Sequence, residues 1–138
     1  MDWMLLPYRR YFEFSGRSRR REYWSFALFY LLVLMVINVI FGVPMAMRAG
    51  PWLSYEMMMS GTGTTIGNLF WLVSFIPGLA VAVRRLHDID RSGMWLLLAF
   101  VPILGWFTLL IFMCLDGTPG SNRFGPDPKS RGVVDVFR

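Results

Sequence analysis

The sequence predicts an all-α integral membrane protein, with three transmembrane helices and an N-terminal amphipathic segment in the interface. Three observations predict it. No charged residue occurs between Tyr23 and Met47, between Met57 and Val83, or between Ser92 and Leu115. Each gap is at least as long as the roughly 20 residues that a helix needs to cross the hydrocarbon core. Hydrophobic residues make up 55% of the 138 and aromatic residues 17%, well above a soluble average on the apolar side. The net charge is +5, and the basic residues cluster beside the apolar runs. This length allows one membrane domain and hardly more.

The elements follow in chain order. Residues 1–22 form a basic, interfacial N-terminus. Met1, Met4, Leu5, Tyr8 and Phe12 share one helical face, while Asp2, Arg9 and Glu13 share another, which suits a short helix lying in the interface. Pro7 is expected to bend or interrupt it. A turn and a dense basic run, Ser15 to Glu22, lead to Tyr23 and Trp24, rings suited to headgroup depth. The first span covers 23–43, ending at Gly42 and Pro44. It is too long for the core of a cleavable leader and is expected to remain as an anchor. The loop 44–63 carries one Arg and one Glu, and its apolar middle is expected to rest on the outer membrane surface. Its methionines, Met57 to Met59, suit a flexible interfacial contact better than a soft-metal site, since no Cys or His joins them.

The second span covers 64–83, and Pro77-Gly78 should kink it. A charged loop, 84–93, precedes the third apolar segment, 94–115. The polar tail covers 116–138 and is rich in turn-forming residues. Six Arg precede the first span and three follow the second, against one in the 44–63 loop, which puts the N-terminus and the 84–93 loop in the cytoplasm. Over the third segment two rules disagree. Its 22 residues make about 33 Å of helix, enough to cross a core of about 30 Å and leave the tail outside. The basic residues of the tail instead favour folding back at Pro102-Ile-Leu-Gly105. A turn in hydrocarbon would leave backbone groups unpaired, so full crossing is the expectation.

Chemistry is thinly signalled. No Asp or Glu lies deep in a span, so a buried proton relay has no relay group. Cys114 is the sole cysteine, which excludes an internal disulfide, and the lone His87 falls short of a metal site. No cofactor is expected, and no catalytic constellation is legible; His87 with Asp88 is the only candidate pair for an enzyme. Nucleic acid is not an expected partner, since no binding motif accompanies the basic charge.

What remains is a polar constellation at one membrane face: Arg17, Arg21 and Glu22 before the first span, and Arg84, Arg85, His87, Asp88, Asp90 and Arg91 after the second. The plainer reading is anchoring to headgroups. The sharper one is a charge network that binds a phosphate-bearing headgroup or a protein partner, and in it Glu22 is expected to bond to an Arg of the 84–91 loop. Asn38 and Asn68 are polar groups within spans, expected to hydrogen-bond between helices. Gly63, Gly67, Gly78 and Ala82 offer small-residue helix contacts.

Three motifs together resemble a known family. Phe14-Ser-Gly-Arg-Ser-Arg-Arg-Arg-Glu-Tyr-Trp24, then Arg84-Arg-Leu-His-Asp-Ile-Asp-Arg-Ser-Gly93 followed by Trp95, then Gly117-Thr-Pro-Gly-Ser-Asn-Arg-Phe-Gly-Pro-Asp-Pro128 are similar, in this order, to domain-of-unknown-function family 805, the YhaH-like bacterial inner-membrane proteins. The 44–63 loop is longer than the family's. The resemblance implies a bacterial cytoplasmic membrane and a helical fold, and adds Asn122, Arg123 and Asp127 of the tail motif as site residues. It implies no reaction. The favoured function is a non-enzymatic protein engaging lipid headgroups or a membrane partner through the cytoplasmic polar cluster. The alternative is a subunit of an oligomeric transporter or channel.

Overall fold

A computed structural model describes residues 2–42 and 62–129. Four α-helices account for most of them: α1 (Asp2–Arg9), α2 (Arg20–Ile37), α3 (Thr62–Asp88) and α4 (Leu104–Cys114). A π-helical turn, Asn38–Gly42, extends α2, and a 3-10 helix, Gly93–Phe100, precedes α4. The described residues contain no β-strand beyond an isolated bridge between Asn122 and Gly125. The interior of the 44–63 loop, with its methionine cluster, and the tail beyond Lys129 lie outside the described residues.

Among the described residues, two helices are long and apolar enough to cross a membrane. The first, Arg20–Ile40, has 21 residues at mean hydropathy 2.1; the second, Thr65–Asp88, has 24 at 1.9. The second is charged in its last turn, from Arg84 to Asp88, so its apolar run ends at Val83. Leucines, valines and aromatics project outward along both, among them Leu31, Met35, Leu69, Trp71 and Leu72. In water this would be a large apolar surface without cover; in hydrocarbon it is the ordinary solvent-facing side.

The chain divides into two compact units, one of Met1–Phe26 with Pro77–Arg138, the other of Ala27–Ile76. In the second unit Tyr30 stacks on Phe70 with ring centres 5.4 Å apart. Asn38 donates to the Leu34 carbonyl of its own helix at 2.9 Å, so its amide has a partner within the helix. Asn68 is exposed, and a Cβ at Gly67 would meet only open space, so neither packs against another helix among the described residues. Gly63 opens α3, with its surroundings outside the described residues.

The first unit contains the rest. Helix α1 runs through Pro7, which is buried, and Tyr8 meets Phe26 edge-on at 5.4 Å. Phe12, expected on the apolar face of α1, lies beyond its end and is 76% exposed. Helix α3 continues through Pro77. Gly78 leaves room for Phe26, whose ring would stand 3.5 Å from a Cβ there, while Ala82 is half-buried one turn on.

The third apolar segment does not cross. Leu98 and Ala99 of the 3-10 arm lie against Gly105 and Trp106 of α4: a Cβ at Gly105 would overlap the Leu98 carbonyl, and Trp106 Nε1 donates to the Ala99 carbonyl at 2.8 Å. At the open end Trp95 meets Phe112 edge-on at 5.3 Å. The segment is therefore a helical hairpin, and the expectation of a third full span is corrected.

The turn satisfies part of its own backbone. Val101 N–H bonds to Leu98, Leu104 N–H to Pro102 and Gly105 N–H to Val101, while Pro102 has no N–H to satisfy. Ile103 takes φ 63°, a strained value for a β-branched residue, to close the reversal. The arms match in reach: eight residues at the 3-10 rise of about 2.0 Å and eleven at 1.5 Å both give about 16 Å, half the depth of a bilayer core.

Candidate functional site

At the charged end of the first unit the predicted residues meet in a buried ion network. Arg17 is its hub. The Gly16 turn, at φ 82°, feeds the chain inward there, and Ser18 N–H bonds to the Arg84 carbonyl at 3.0 Å. Arg17 Nε donates to Asp88 Oδ1 at 2.9 Å, while its Nη atoms donate to the carbonyls of Gly120 and Thr118, both at 2.6 Å, and of Asp88 at 3.3 Å. Arg85, three residues before Asp88 on α3, binds the other carboxylate oxygen at 2.7 Å. Arg84 Nη2 binds Glu22 Oε1 at 2.9 Å, the expected bond between Glu22 and the 84–91 segment, and its Nη1 holds the Glu13 carbonyl at 2.9 Å. The side chains of Arg17, Arg84, Arg85, Glu22 and Asp88 are all 3% exposed or less.

Three guanidiniums thus face two carboxylates in a space closed to water. Carbonyl groups at helix ends absorb the excess positive charge. Arg85 donates from Nε to Met113 O at 3.3 Å and from Nη2 to Leu115 O. Arg20 donates to Cys114 O at 3.1 Å and Trp24 Nε1 to Met113 O at 3.3 Å. The last carbonyls of a helix have no partner of their own, and the helix dipole makes them negative. Arginines and a tryptophan from α2 and α3 cap α4, which is what draws the hairpin back. Ser18 Oγ and Arg84 Nε are buried with no hydrogen-bond partner among the described residues.

The tail motif locks onto the same end. Thr118 N–H and Oγ1 donate to the Asp88 carbonyl at 2.9 and 3.2 Å. Asn122 Nδ2 donates to the His87 carbonyl at 2.9 Å and to Thr118 Oγ1 at 3.1 Å, while its Oδ1 accepts the Phe124 N–H at 2.9 Å. Phe124 lies flat on the His87 ring at 3.8 Å, and the Arg123 guanidinium stands 4.8 Å from the Phe124 ring centre. Gly117 sits where any Cβ would strike the Asp88 carboxylate. Asp127, 8% exposed, caps its own turn by accepting the Lys129 N–H at 2.8 Å.

His87 Nδ1 lies 3.2 Å from the Gly16 carbonyl, in the charged turn past the apolar run, and burial holds its imidazole below the usual value. Asp116 is held below the usual carboxylate range by its hydrogen bond from Lys129, and Glu13 by its bond from Arg10.

The other predicted residues stand apart from the network. Asp90 takes φ 57° where α3 ends and pairs with Arg123 at 3.2 Å on the surface. Arg91 is exposed, over the Trp95 ring at 5.2 Å and Phe112 at 5.9 Å; Arg21 is exposed. Cys114 is exposed and free. No group of three His, Cys, Asp or Glu able to hold a metal occurs among the described residues.

Sequence reasoning missed the carbonyls of Glu13, Met113, Leu115, Thr118 and Gly120, since a backbone acceptor leaves no trace in residue identity. It also missed Thr118 and Gly117, whose signal was only their place in the tail motif.

The relatives agree with this picture of a membrane protein. Inner membrane protein YhaI of Escherichia coli strain K12 is 48% identical over 129 residues, covering 94% of this chain and 97% of that one. Inner membrane protein YhaH of the same strain is 43% identical over 129 residues, 94% of this chain and 98% of that one. The uncharacterised protein YiiR of that strain is 26% identical over 144 residues, 84% and 86% of the two chains. No solved structure matches. With spanning helices and such relatives, the protein resides in the bacterial inner membrane. The profile described as protein of unknown function (DUF805) matches residues 11–126, from just after α1 to just past the tail turn, and the chain belongs to that family.

Proposed function

We propose that this chain is a non-enzymatic membrane protein that holds anionic phospholipid at the cytoplasmic face, with the buried charge network as its scaffold. One observation carries the reading. Arg17, Arg84 and Arg85 are consumed internally, whereas Arg9, Arg21 and Arg91 are exposed and make no ion pair among the described residues. The headgroup contact thus passes from the predicted cluster to this outer rim. The excess of Arg around the 1–22 and 84–93 segments supports a cytoplasmic orientation, where the leaflet is anionic. Each exposed cation near such a surface contributes about 1 kcal/mol. Engagement of Glu22 and Asp88 by guanidiniums, and of the His87 ring by Phe124, supports a structural role for these groups over a catalytic one.

The test is reconstitution of the full chain in vesicles of mixed phosphatidylglycerol and phosphatidylcholine, followed by extraction in polymer-bounded patches. The lipid retained should be enriched in phosphatidylglycerol, and less so with Arg9, Arg21 and Arg91 all changed to Gln. Retention at the bulk ratio would refute the reading.

An oligomeric transport component is the second reading. It has support in the exposed amide of Asn68 beside Gly67, since an amide in hydrocarbon seeks a partner. A monomer in bilayer-embedded cross-linking would count against it.

A further inference from the structure

We propose that the 3-10 arm of the hairpin carries a specific site for one anionic phospholipid, with an acyl chain in a furrow along the arm and the phosphate on Arg91. The proposal deepens the lipid reading above and rests on it.

The furrow follows from the helix type. Three residues per turn stack positions i and i+3 in straight columns instead of the slanting rows of an α-helix. Met94 and Leu97 form one column, Trp95 and Leu98 the next. Between them runs an open groove of about 360 Å³ lined by these four residues, at the lower end of the roughly 300–1,000 Å³ of small-molecule sites. A 3-10 run of eight residues is long, since such runs seldom exceed three or four. Here it gives the arm its length and also keeps the furrow straight. None of the arm's residues is buried, and Met94 and Leu97 are 69% and 55% exposed.

The mouth of the furrow is cationic. Arg91 precedes the 3-10 helix by two residues, and its guanidinium stands over the ring of Trp95, a residue that lines the furrow, at 5.2 Å. Stacking on an aromatic face holds a guanidinium while leaving its in-plane N–H groups free for a phosphate. No carboxylate among the described residues pairs with Arg91; the neighbouring Asp90 is taken by Arg123. Ser92, at the N-cap, makes no side-chain capping bond, so the positive end of the arm adjoins the same mouth. Cation above and apolar furrow below match the two halves of an anionic phospholipid. A neutral partner helix would fill the furrow but leave the guanidinium without a counter-charge.

The test is native mass spectrometry of the full chain in mild detergent, titrated with phosphatidylglycerol or with phosphatidylcholine of the same acyl chains, and with inorganic phosphate as a third arm. The wild type should bind one phosphatidylglycerol in preference to phosphatidylcholine, and phosphate alone should not displace it. Arg91→Gln should weaken that binding roughly tenfold, the worth of one charge-assisted hydrogen bond. Leu97→Trp, which fills the furrow and keeps the charge, should weaken both lipids. Lys129→Gln removes an equal charge elsewhere and should change nothing. Monodisperse elution and unchanged helical circular dichroism establish that each variant is folded. If the phosphatidylglycerol preference survives Arg91→Gln, or binding of both lipids is unchanged in Leu97→Trp, the site is wrong while the broader reading stands. If the wild type shows no preference, both fall. If phosphate alone displaces the lipid, the furrow plays no part and the site is wrong.

Discussion

Replacing Asp88 with Ala should be the most damaging single change in the charged end. Its carboxylate lies between Arg17 at 2.9 Å and Arg85 at 2.7 Å, and is 2% exposed. Removing one member of a buried pair leaves an uncompensated charge and costs about 3–5 kcal/mol. Here the loss strands two guanidiniums facing one another, so the upper half of that range is expected. That is a large part of the roughly 5–15 kcal/mol that holds an ordinary domain folded. Asp88→Asn keeps one oxygen for one guanidinium and turns an amide N–H toward the other, so its cost should be intermediate. The assay is unfolding in mixed micelles titrated with denaturing detergent, together with protease resistance of the tail, which Asp88 holds through its carbonyl and through Arg17. A loss below about 1 kcal/mol for Asp88→Ala, the size of an exposed pair, with the tail still protected, would refute the claim that this network holds the tail.

Four further outcomes are expected. Ser18→Ala should stabilise the protein by up to about 1 kcal/mol in the same assay, because the Ser18 hydroxyl is buried without a partner; a loss of that size would show that the hydroxyl is bonded. Gly117→Ala should cost about 1–3 kcal/mol as an overpacked contact against Asp88, read as a fall in melting temperature that Gly67→Ala, helical and with open space around it, does not show. His87 has a native pKa below that of the unfolded chain, so protonation favours unfolding: its contribution is intact above pH of about 6.5 and is lost as pH falls through the depressed native value, and the wild type should lose more stability than His87→Gln between pH 7.5 and pH 5. With Cys114 changed to Ser, cysteines placed at Ser15 and at Ser121 should react with an impermeant thiol reagent from the same side of the membrane; labelling from opposite sides would contradict the hairpin.

Much of this was legible in the sequence, and the one large error has a physical cause. The two spans were readable because bilayer thickness fixes a length and hydrocarbon excludes charge. The Glu22–Arg84 pair was readable because two spans return the chain to the same face. The third segment was misjudged on the assumption that a turn in hydrocarbon strands its backbone. Pro102 removes one donor, three short-range bonds satisfy others, and Ile103 accepts a strained φ. The caps on α4 were equally hidden: Arg85, Arg20 and Trp24 reach the carbonyls of residues 113–115. Of the predicted cluster, Arg17, Glu22, Arg84, Arg85 and Asp88 meet, while Arg21, Asp90 and Arg91 stand apart, and the charges that meet face one another where a ligand was expected. The intrahelical bond of Asn38 was not foreseen, since an amide in a helix can turn to the carbonyl four residues back.

The position of the ion network follows from what a membrane lacks. Between helices in lipid there is no hydrophobic driving force, because acyl chains are as apolar as leucine. Among the described residues the fully buried apolar ones are accordingly few, and Ala80, Val81 and Leu86 lie on α3 at or near the charged end. A fold that must bring an N-terminal loop, the end of a helix, a half-depth hairpin and a tail to one place therefore needs directional contacts. The membrane boundary is where these are effective: water can solvate the chain before it folds, yet the closed site strengthens each bond once formed. Arginine suits the task, since one guanidinium can bind several acceptors in fixed directions; Arg17 alone joins Asp88, Thr118 and Gly120. Lysine carries the same charge but only a compact point of it, so Arg17→Lys should lose the tail even where Coulomb attraction to Asp88 survives. Protease sensitivity of the tail in Arg17→Lys, with the membrane-embedded helices intact by circular dichroism, is the expected result. A protected tail would mean that charge alone, without the planar fork, is enough to assemble this end of the molecule.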